Sequence, residues 1–235
     1  MEQVNVHSQR EARPGRTPWV VGVSGASGTP YAAAVLRGLL AAGESVDLVV
    51  SRASRLTLLD ETGIAFRDAH WRDDLAKWLA RGADGKPGSF DVDGAALERV
   101  RHWSAGDLGA GPSSGSYPVK GMLIVPASTA CVAGVALGLS KDLLQRAASV
   151  TLKERRRLVV AVRETPLNGQ TLRHLVTLDE AGAVVLPASP AFYAGATHIQ
   201  DLVDFVAGRV LDAAGVPHGL YRRWEGELGG GSRPG

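Results

Sequence analysis

Short runs of apolar residues that lack polar alternation recur along the chain. They occupy residues 19–23, 46–50, 122–125, 158–162 and 183–186. Runs of this kind are typical of strands that are buried on both faces of a parallel sheet. The pattern therefore predicts a sheet with at least five buried strands.

Segments with helical spacing of apolar residues separate these runs, at 31–42, 141–156, 169–181 and 199–214. An alternation of buried strands and amphipathic helices predicts an α/β fold, a doubly wound, Rossmann-like domain with a mainly parallel sheet. In such folds ligands bind at the carboxyl ends of the strands. The residues that follow each strand are therefore the candidate functional residues.

The 235 residues fit one domain, which we expect to span 18–228 between flexible tails at 1–17 and 229–235. Residues 122–139 carry no charge and approach the length of a membrane span. Pro126, Gly134 and Gly138 divide this stretch, so it predicts a strand, a turn and a packed helix instead of a span.

Charge and cysteine content limit the classes of partner. Lys and Arg total 26 against 24 Asp and Glu, a formal net charge of +2, which makes nucleic acid an unexpected partner. Cys131 is the single cysteine, so no disulfide forms within the chain, and we expect a cytoplasmic protein. None of the six histidines has metal-ligand spacing, so no metal site is predicted.

Residues 67–120 give the least regular pattern. They include Trp71, Trp78 and Trp103, and a loop at 105–118 rich in glycine, serine and proline. A lid over a site and a plain surface insertion both fit this composition.

Small and hydroxylated residues follow three predicted strands. Gly25, Ala26 and Ser27 follow the first strand, Ser51 follows the second, and Ser128-Thr129 follows the central one. At a helix N-terminus such residues allow backbone N–H groups to bind an anion. A tight turn or simple helix capping explains each turn alone equally well. Their convergence on one sheet edge predicts a pocket for a phosphorylated cofactor.

Basic residues also approach this edge. Arg146 and Lys153 are seven residues apart on one helix face, and Arg163-Glu164 follows a strand. A solvated basic face and a structural ion pair are the simpler explanations. An anionic substrate and a proton-transferring carboxylate are the functional ones. Tyr193 follows the last strand.

Taken in order, these residues resemble the UbiX-type flavin prenyltransferases over most of residues 19–224. The most specific motifs are LKERR at 152–156, RETP at 163–166 and PAFY at 190–193. The resemblance implies transfer of a dimethylallyl group from dimethylallyl phosphate to N5 and C6 of reduced FMN, without a metal. The product, prenylated FMN, would serve a partner UbiD-type decarboxylase. The family usually forms a homododecamer with sites at subunit interfaces.

The resemblance also assigns roles to residues by position. FMN binding falls to the three turns and one arginine: Gly25, Ala26, Ser27, Ser51, Ser128, Thr129 and Arg146. Binding of the substrate phosphate is assigned to Lys153, Arg163, Tyr193 and Arg209, with Trp103 near the site. The residues assigned to catalysis, which handle protons or surround the prenyl group, are Glu164, Ser27, Lys153, Glu61 and Trp224.

Two other functions remain open at this point. An FMN-dependent cysteine decarboxylase shares the fold and places the same Pro-Ala-Ser turn after the central strand. That family has an asparagine soon after the turn, whereas Thr129, Ala130 and Cys131 follow it here. A non-catalytic flavin carrier would not need a second set of phosphate-binding cations. Ala127 also stands where the prenyltransferases often have cysteine.

Overall fold

Six strands form one sheet in which every neighbouring pair is parallel. The computed structural model describes residues 17–88, 90, 92–224 and 226. The strands are β1 (Trp19–Val23), β2 (Val46–Val50), β3 (Val100–Ser104), β4 (Gly121–Ala127), β5 (Arg157–Val162) and β6 (Val184–Pro187). Their order across the sheet is β3-β2-β1-β4-β5-β6.

Eight helices accompany the sheet in the described part of the chain. They are α1 (Thr29–Ala41), α2 (Arg52–Thr62), α3 (Trp71–Leu79), α4 (Gly94–Leu97), α5 (Thr129–Ala136), α6 (Leu143–Lys153), α7 (Gly169–Glu180) and α8 (Ile199–Ala214). The doubly wound α/β fold predicted from the sequence is thus confirmed. None of the described helices combines the length and apolar content needed to cross a membrane.

Alternate residues of the central strands face two separate cores. In β4, Leu123 and Val125 pack against α1 and α8, whereas Met122 and Ile124 pack with residues of α5 and α6. All seven residues of β4 are buried. Burial of both faces explains why the apolar runs show no alternation.

The pattern of apolar residues missed the third strand. The segment at 67–120 supplies β3 at one sheet edge, and Trp78 and Trp103 are both buried. Arg101 and His102 interrupt the apolar pattern of this strand, which is why the pattern did not reveal it. The segment is therefore part of the core and not a surface insertion.

The last strand also differs from the prediction. β6 lies at the opposite edge, and none of its four residues is fully buried. Its apolar residues therefore mark an edge strand that lacks a neighbour on one side. Apart from Thr17, the tails expected at 1–17 and 229–235 lie outside the described residues.

Backbone hydrogen bonds continue past the strand ends and align them along one edge. Ser51 N donates to Val23 O, Arg163 N to Ala127 O, and Ala188 N to Val162 O, at 2.8 to 3.1 Å. The strand order reverses direction between β1 and β4, which is the position where doubly wound folds bind their ligands.

Candidate functional site

A cleft of about 240 Å³ lies at the carboxyl ends of β1, β2 and β4. We call it the inner cleft. Small side chains form most of its wall, and α6 closes one side. Its lining residues are Ser24, Gly25, Ser51, Arg52, Ala53, Ser128, Ala130, Cys131, Asp142, Leu144 and Gln145.

The Ser24 side chain joins the two strands that flank the reversal point. Its hydroxyl donates to Pro126 O at 2.9 Å and accepts from Ser128 N at 2.7 Å, across 104 residues of sequence. These bonds fix the turn after β4 against the turn after β1. The floor of the inner cleft is therefore held by hydrogen bonds from buried groups.

Ser51 and Ser128 both cap helices. Ser51 Oγ accepts from Ser54 N at 3.1 Å at the start of α2, and Ser128 Oγ accepts from Cys131 N at 3.3 Å at the start of α5. Capping, the simpler explanation, is thus what the structure has. It also places both helix N-termini at the inner cleft, where their dipoles favour an anion.

Gly25 permits a close approach of two segments. A Cβ at this position would lie 2.5 Å from Ala53 Cβ, so any side chain would displace the start of α2.

Burial raises the pKa of the nearby Cys131 thiol to about 12, with Asp142 adding to the rise. The cleft therefore offers hydroxyls and small residues to a ligand, with no ionised thiol.

The first turn of α1 is already occupied by an anion from the protein itself. Glu61, near the end of α2, accepts from Gly28 N at 2.9 Å and from Thr29 N at 2.8 Å. Thr29 Oγ1 donates to the same carboxylate. The turn at Ser24–Gly28 therefore does not offer these two N–H groups to a phosphate.

Arg163 fastens the same turn from the other side. Its Nε donates to Ser27 O at 2.9 Å, across 136 residues of sequence. Glu164 accepts from Thr165 N at 3.0 Å. The ion pair considered from the sequence is not among the contacts of the described residues, so the exposed Glu164 carboxylate remains accessible.

Tyr31 lies between these charged groups. Burial raises the pKa of its hydroxyl, Arg163 lowers it, and Glu61 raises it further. Sequence reasoning gave Tyr31 no role beyond its place in the motif. Its neutral hydroxyl sits beside the arginine that holds the Ser27 turn.

Arg146 and Lys153 lie along α6 as the seven-residue spacing predicts. Arg146 Nε donates to Ser113 O at 3.1 Å, and Lys153 pairs with its neighbour Glu154. Arg156 adds bonds to Gly115 O and Tyr117 O at 2.7 and 3.1 Å. The loop at 105–118, considered as a lid from the sequence, is fastened to α6 and its C-terminal end.

A second group of side chains is formed by α8 and by the segments before and after it. We call Tyr193, Phe205, Arg209, Asp212, Tyr221 and Trp224 the outer cluster. The Tyr193 ring packs edge-on against Phe205 and Trp224, with centroids 5.6 and 6.0 Å apart. Arg209 donates to Asp212 at 3.0 Å and lies 3.3 Å from the Tyr221 hydroxyl.

The structure brings some of the candidate residues together and keeps others apart. Ser27, Glu61 and Arg163 share the turn after β1. Tyr193, Arg209 and Trp224 share the outer cluster. Among the described contacts, no hydrogen bond or ion pair links Lys153 to either group. The candidate residues therefore form three separate groups within one chain.

Two further candidates serve the fold as well. Trp103 is buried in the core, where its ring meets Tyr117 edge-on at 6.4 Å. Thr129 opens α5 directly after the Ser128 cap. Asp212 was missed from the sequence, although its spacing of three residues from Arg209 on a helix was a usable signal.

Comparison with known proteins identifies the family of this chain. The Flavoprotein family model matches residues 7–211. A flavin prenyltransferase UbiX from Streptomyces coelicolor is 88% identical over 217 residues, which cover 92% of this chain and 99% of that protein.

Solved structures give the same answer for the fold. A crystal structure of AnUbiX in complex with FMN and dimethylallyl pyrophosphate has a TM-score of 0.74 at 33% identity, covering 91% of this chain and all of that one. A dodecameric FMN-dependent UbiX-like decarboxylase from Escherichia coli has a TM-score of 0.74 at 32% identity, covering 89% of this chain and all of that one. Sequence identity and fold therefore agree that the chain belongs to the flavoprotein family and, within it, to the UbiX flavin prenyltransferases.

Proposed function

We propose that this chain transfers a dimethylallyl group from dimethylallyl phosphate to N5 and C6 of reduced FMN. The observation that carries the proposal is the 88% identity with the Streptomyces coelicolor flavin prenyltransferase over nearly its whole length. Of the residues that the motifs select, Arg163 lies at the carboxyl edge of the sheet and Tyr193 in the outer cluster, whereas Lys153 lies apart from both at the end of α6. Residues 18–228 would form the whole catalytic domain.

The inner cleft fits FMN in the residues it offers. Gly25 leaves room for backbone to approach a ligand, and the hydroxyls of Ser51 and Ser128 lie at two helix N-termini. Bound there, reduced FMN supplies the nucleophilic N5 and C6 atoms. We assign its binding to the three turns and α6, with residues Gly25, Ala26, Ser27, Ser51, Ser128, Thr129 and Arg146.

The reaction breaks the allylic C–O bond of the donor, releases phosphate and forms bonds from the dimethylallyl carbons to N5 and C6. Negative charge grows on the departing phosphate, and fixed cations stabilise it. We assign this task to Lys153, Arg163 and Arg209, with the Tyr193 hydroxyl as a further donor. Aromatic faces such as that of Trp224 stabilise positive charge on the allyl carbon.

Glu164 is the proposed proton-handling group. Its carboxylate is exposed at the end of β5 and is held only by the neighbouring Thr165 N–H among the described contacts. A carboxylate in this position can accept a proton during ring closure and deliver one to the phosphate. Glu61 and Trp103 would shape the surroundings of the site.

Three separate groups in one chain imply that another copy completes the site. The dodecameric relative supports a homododecamer for this chain as well. Prenylated FMN would then pass to a UbiD-type decarboxylase. The single cysteine supports a reducing, cytoplasmic location.

Anaerobic incubation of the protein with reduced FMN and dimethylallyl phosphate tests the activity, with mass spectrometry of the released flavin. We expect a flavin that is heavier by one dimethylallyl unit. Dimethylallyl diphosphate serves as the second donor. Unmodified FMN with both donors, despite confirmed flavin binding, would contradict the proposal in favour of a carrier or a cysteine decarboxylase.

Two variants test the assigned roles. We expect Lys153→Ala to raise the KM for the donor and Glu164→Gln to slow turnover while FMN stays bound. Lys77→Ala on α3 and Glu180→Gln on α7 are matched controls at exposed positions. Normal turnover in both test variants would refute these assignments.

A further inference from the structure

Asp212 receives four hydrogen bonds, more than any other carboxylate in the described part of the chain. Its Oδ2 accepts from Arg209 Nη1 at 3.0 Å and from the Tyr221 hydroxyl at 2.5 Å. Its Oδ1 accepts from Arg223 Nη2 at 2.7 Å and from His218 Nε2 at 3.0 Å. Two guanidinium groups are thus held on opposite oxygens of one carboxylate.

The segment after α8 reaches Asp212 because the helix leaves room for it. A Cβ on Gly208 would lie 2.5 Å from the Tyr221 ring and 2.7 Å from the His218 ring. The two rings pack over α8 at this point, and the His218 side chain is almost fully buried. Arg223 is therefore placed by the packing of the segment and by its bond to Asp212.

The charges of this group do not cancel. Leu220 N donates to His218 Nδ1 at 3.2 Å, so the ring meets Asp212 through its other nitrogen, Nε2. One carboxylate then faces two guanidiniums, so one positive charge is in excess. The Asp212 hydrogen bond raises the pKa of Arg223, while the positive charge of Arg209 opposes the rise, as expected for adjacent cations.

Both arginines keep N–H groups for another ligand. Arg209 bonds to described residues through Nη1 alone, and Arg223 through Nη2 alone. Both side chains are about half exposed. A guanidinium with free N–H groups binds phosphate oxygens in a bidentate manner. The neighbouring rings of Tyr193 and Trp224 would suit a short apolar chain on that phosphate.

We infer that Arg223 binds the phosphate of the prenyl donor together with Arg209, and that Asp212 is the positioning residue that holds the two guanidiniums side by side. The inference rests on the proposed function for the identity of the donor. Arg223 contributes its free N–H groups to the phosphate. Asp212 acts only through the two arginines.

Steady-state kinetics with dimethylallyl phosphate and reduced FMN test the role of Arg223. We expect Arg223→Gln to raise the KM for the donor about tenfold while kcat changes less than about twofold, because a charge-assisted hydrogen bond to bound substrate is lost. Arg223→Lys keeps the positive charge but loses the paired N–H groups of the guanidinium, so its KM should be intermediate. Arg222→Gln, an identical charge change at the exposed neighbour, is the matched control.

The role of Asp212 requires a second comparison. We expect Asp212→Asn to raise the donor KM about tenfold in the unaltered chain, but less than about twofold when Arg209→Gln and Arg223→Gln are already present. If Asp212 only stabilised the fold, Asp212→Asn would lower the melting temperature equally in both backgrounds. The increase in KM would then be the same with and without the two arginine substitutions. Binding of FMN should not change.

Several outcomes would overturn the inference. Arg223→Gln with the same KM as Arg222→Gln is the first. A raised KM accompanied by dissociation of the assembly in light scattering is the second, since Arg223 would then bind another copy of the chain. If the unaltered protein shows no turnover, the proposed function fails. Calorimetric titration with inorganic phosphate then tests separately whether Arg223 binds phosphate. Weaker phosphate binding in Arg223→Gln than in Arg222→Gln then supports the pair, and equal binding refutes it.

Discussion

The inner cleft takes its geometry from the backbone, whereas the outer cluster takes its geometry from long side chains. Strand register places Ser24 beside the turn after β4, where its hydroxyl bonds to two main-chain groups, Pro126 O and Ser128 N. In the outer cluster, Arg209 and Tyr221 meet on the Asp212 carboxylate through their side-chain termini.

This difference separates two tasks in one site. A cleft fixed by main-chain bonds has a constant shape, as a bound flavin ring requires. The guanidiniums of the outer cluster are held at their ends by one carboxylate, which sets the charge that a leaving phosphate meets. Each of the following experiments acts on one region or outside both, so each can test the contrast.

The largest effect is expected from mild acid, which should destabilise the fold through a histidine that lies outside both regions. Burial lowers the pKa of His102, in β3, to about 4, although Asp68 acts in the opposite direction. The unfolded chain takes up this proton near pH 6.5, whereas the folded chain resists until about pH 4. The contribution of neutral His102 to the free energy of unfolding is therefore complete above pH 6.5. It falls by roughly 3 kcal/mol as the pH drops toward 4.

Chemical denaturation between about pH 7 and 4.5 measures this loss. The outer-cluster carboxylate Asp212 stays ionised in that window. Burial alone would raise the pKa of Asp212, but hydrogen bonds from Tyr221, Arg223 and His218 lower it to about 2. His102→Phe keeps a ring beside Trp71 and should flatten the pH dependence. An equally steep dependence in this variant would show that another group is responsible.

Filling the backbone contact in the inner cleft should have the next largest effect. In Gly25→Ala the added methyl would meet Ala53 Cβ at 2.5 Å. Overpacking of this kind costs about 1–3 kcal/mol. We expect FMN affinity, measured by quenching of flavin fluorescence, to fall about 10- to 100-fold. Gly94→Ala has open space around its Cβ and is the control. Unchanged affinity would mean that the cleft wall is adaptable.

Removing the charge at the start of α1 should have a moderate effect on stability. Glu61→Gln loses a carboxylate that accepts from two backbone N–H groups and one hydroxyl. We expect a loss of about 1–2 kcal/mol in the free energy of unfolding. Glu44→Gln disrupts a surface ion pair with Lys120 and should cost about 0–1 kcal/mol. Equal losses in the two variants would contradict a structural role for Glu61.

The smallest effect on stability is expected in the outer cluster. Tyr193→Phe keeps the ring contacts with Phe205 and Trp224 and removes only the hydroxyl. The free energy of unfolding should change by less than about 0.5 kcal/mol. The donor KM should rise about three- to tenfold, while FMN affinity stays constant. A large fall in melting temperature would show that the Tyr193 hydroxyl stabilises the fold and does not serve the donor alone.

The same contrast explains what could be predicted from sequence. Ser51 and Ser128 follow apolar strands directly, so strand order alone places them at one edge. β3 escaped prediction because polar residues interrupt an edge strand. Tyr221 and Arg223 reach Asp212 from a segment without regular structure. No periodicity encodes such contacts, since they depend on side-chain rotamers and on the room that Gly208 leaves.

The hydrogen bonds across the reversal point also set an order of assembly. Contacts on Asp212 span 3 to 11 residues of sequence and can form locally as soon as α8 and its following segment meet. Ser24 and Ser128 are 104 residues apart, so their contact must wait for β1 and β4 to pair. Closing so long a loop is slow and entropically costly. Capture of flavin by the folding chain would therefore report that β1 and β4 have paired.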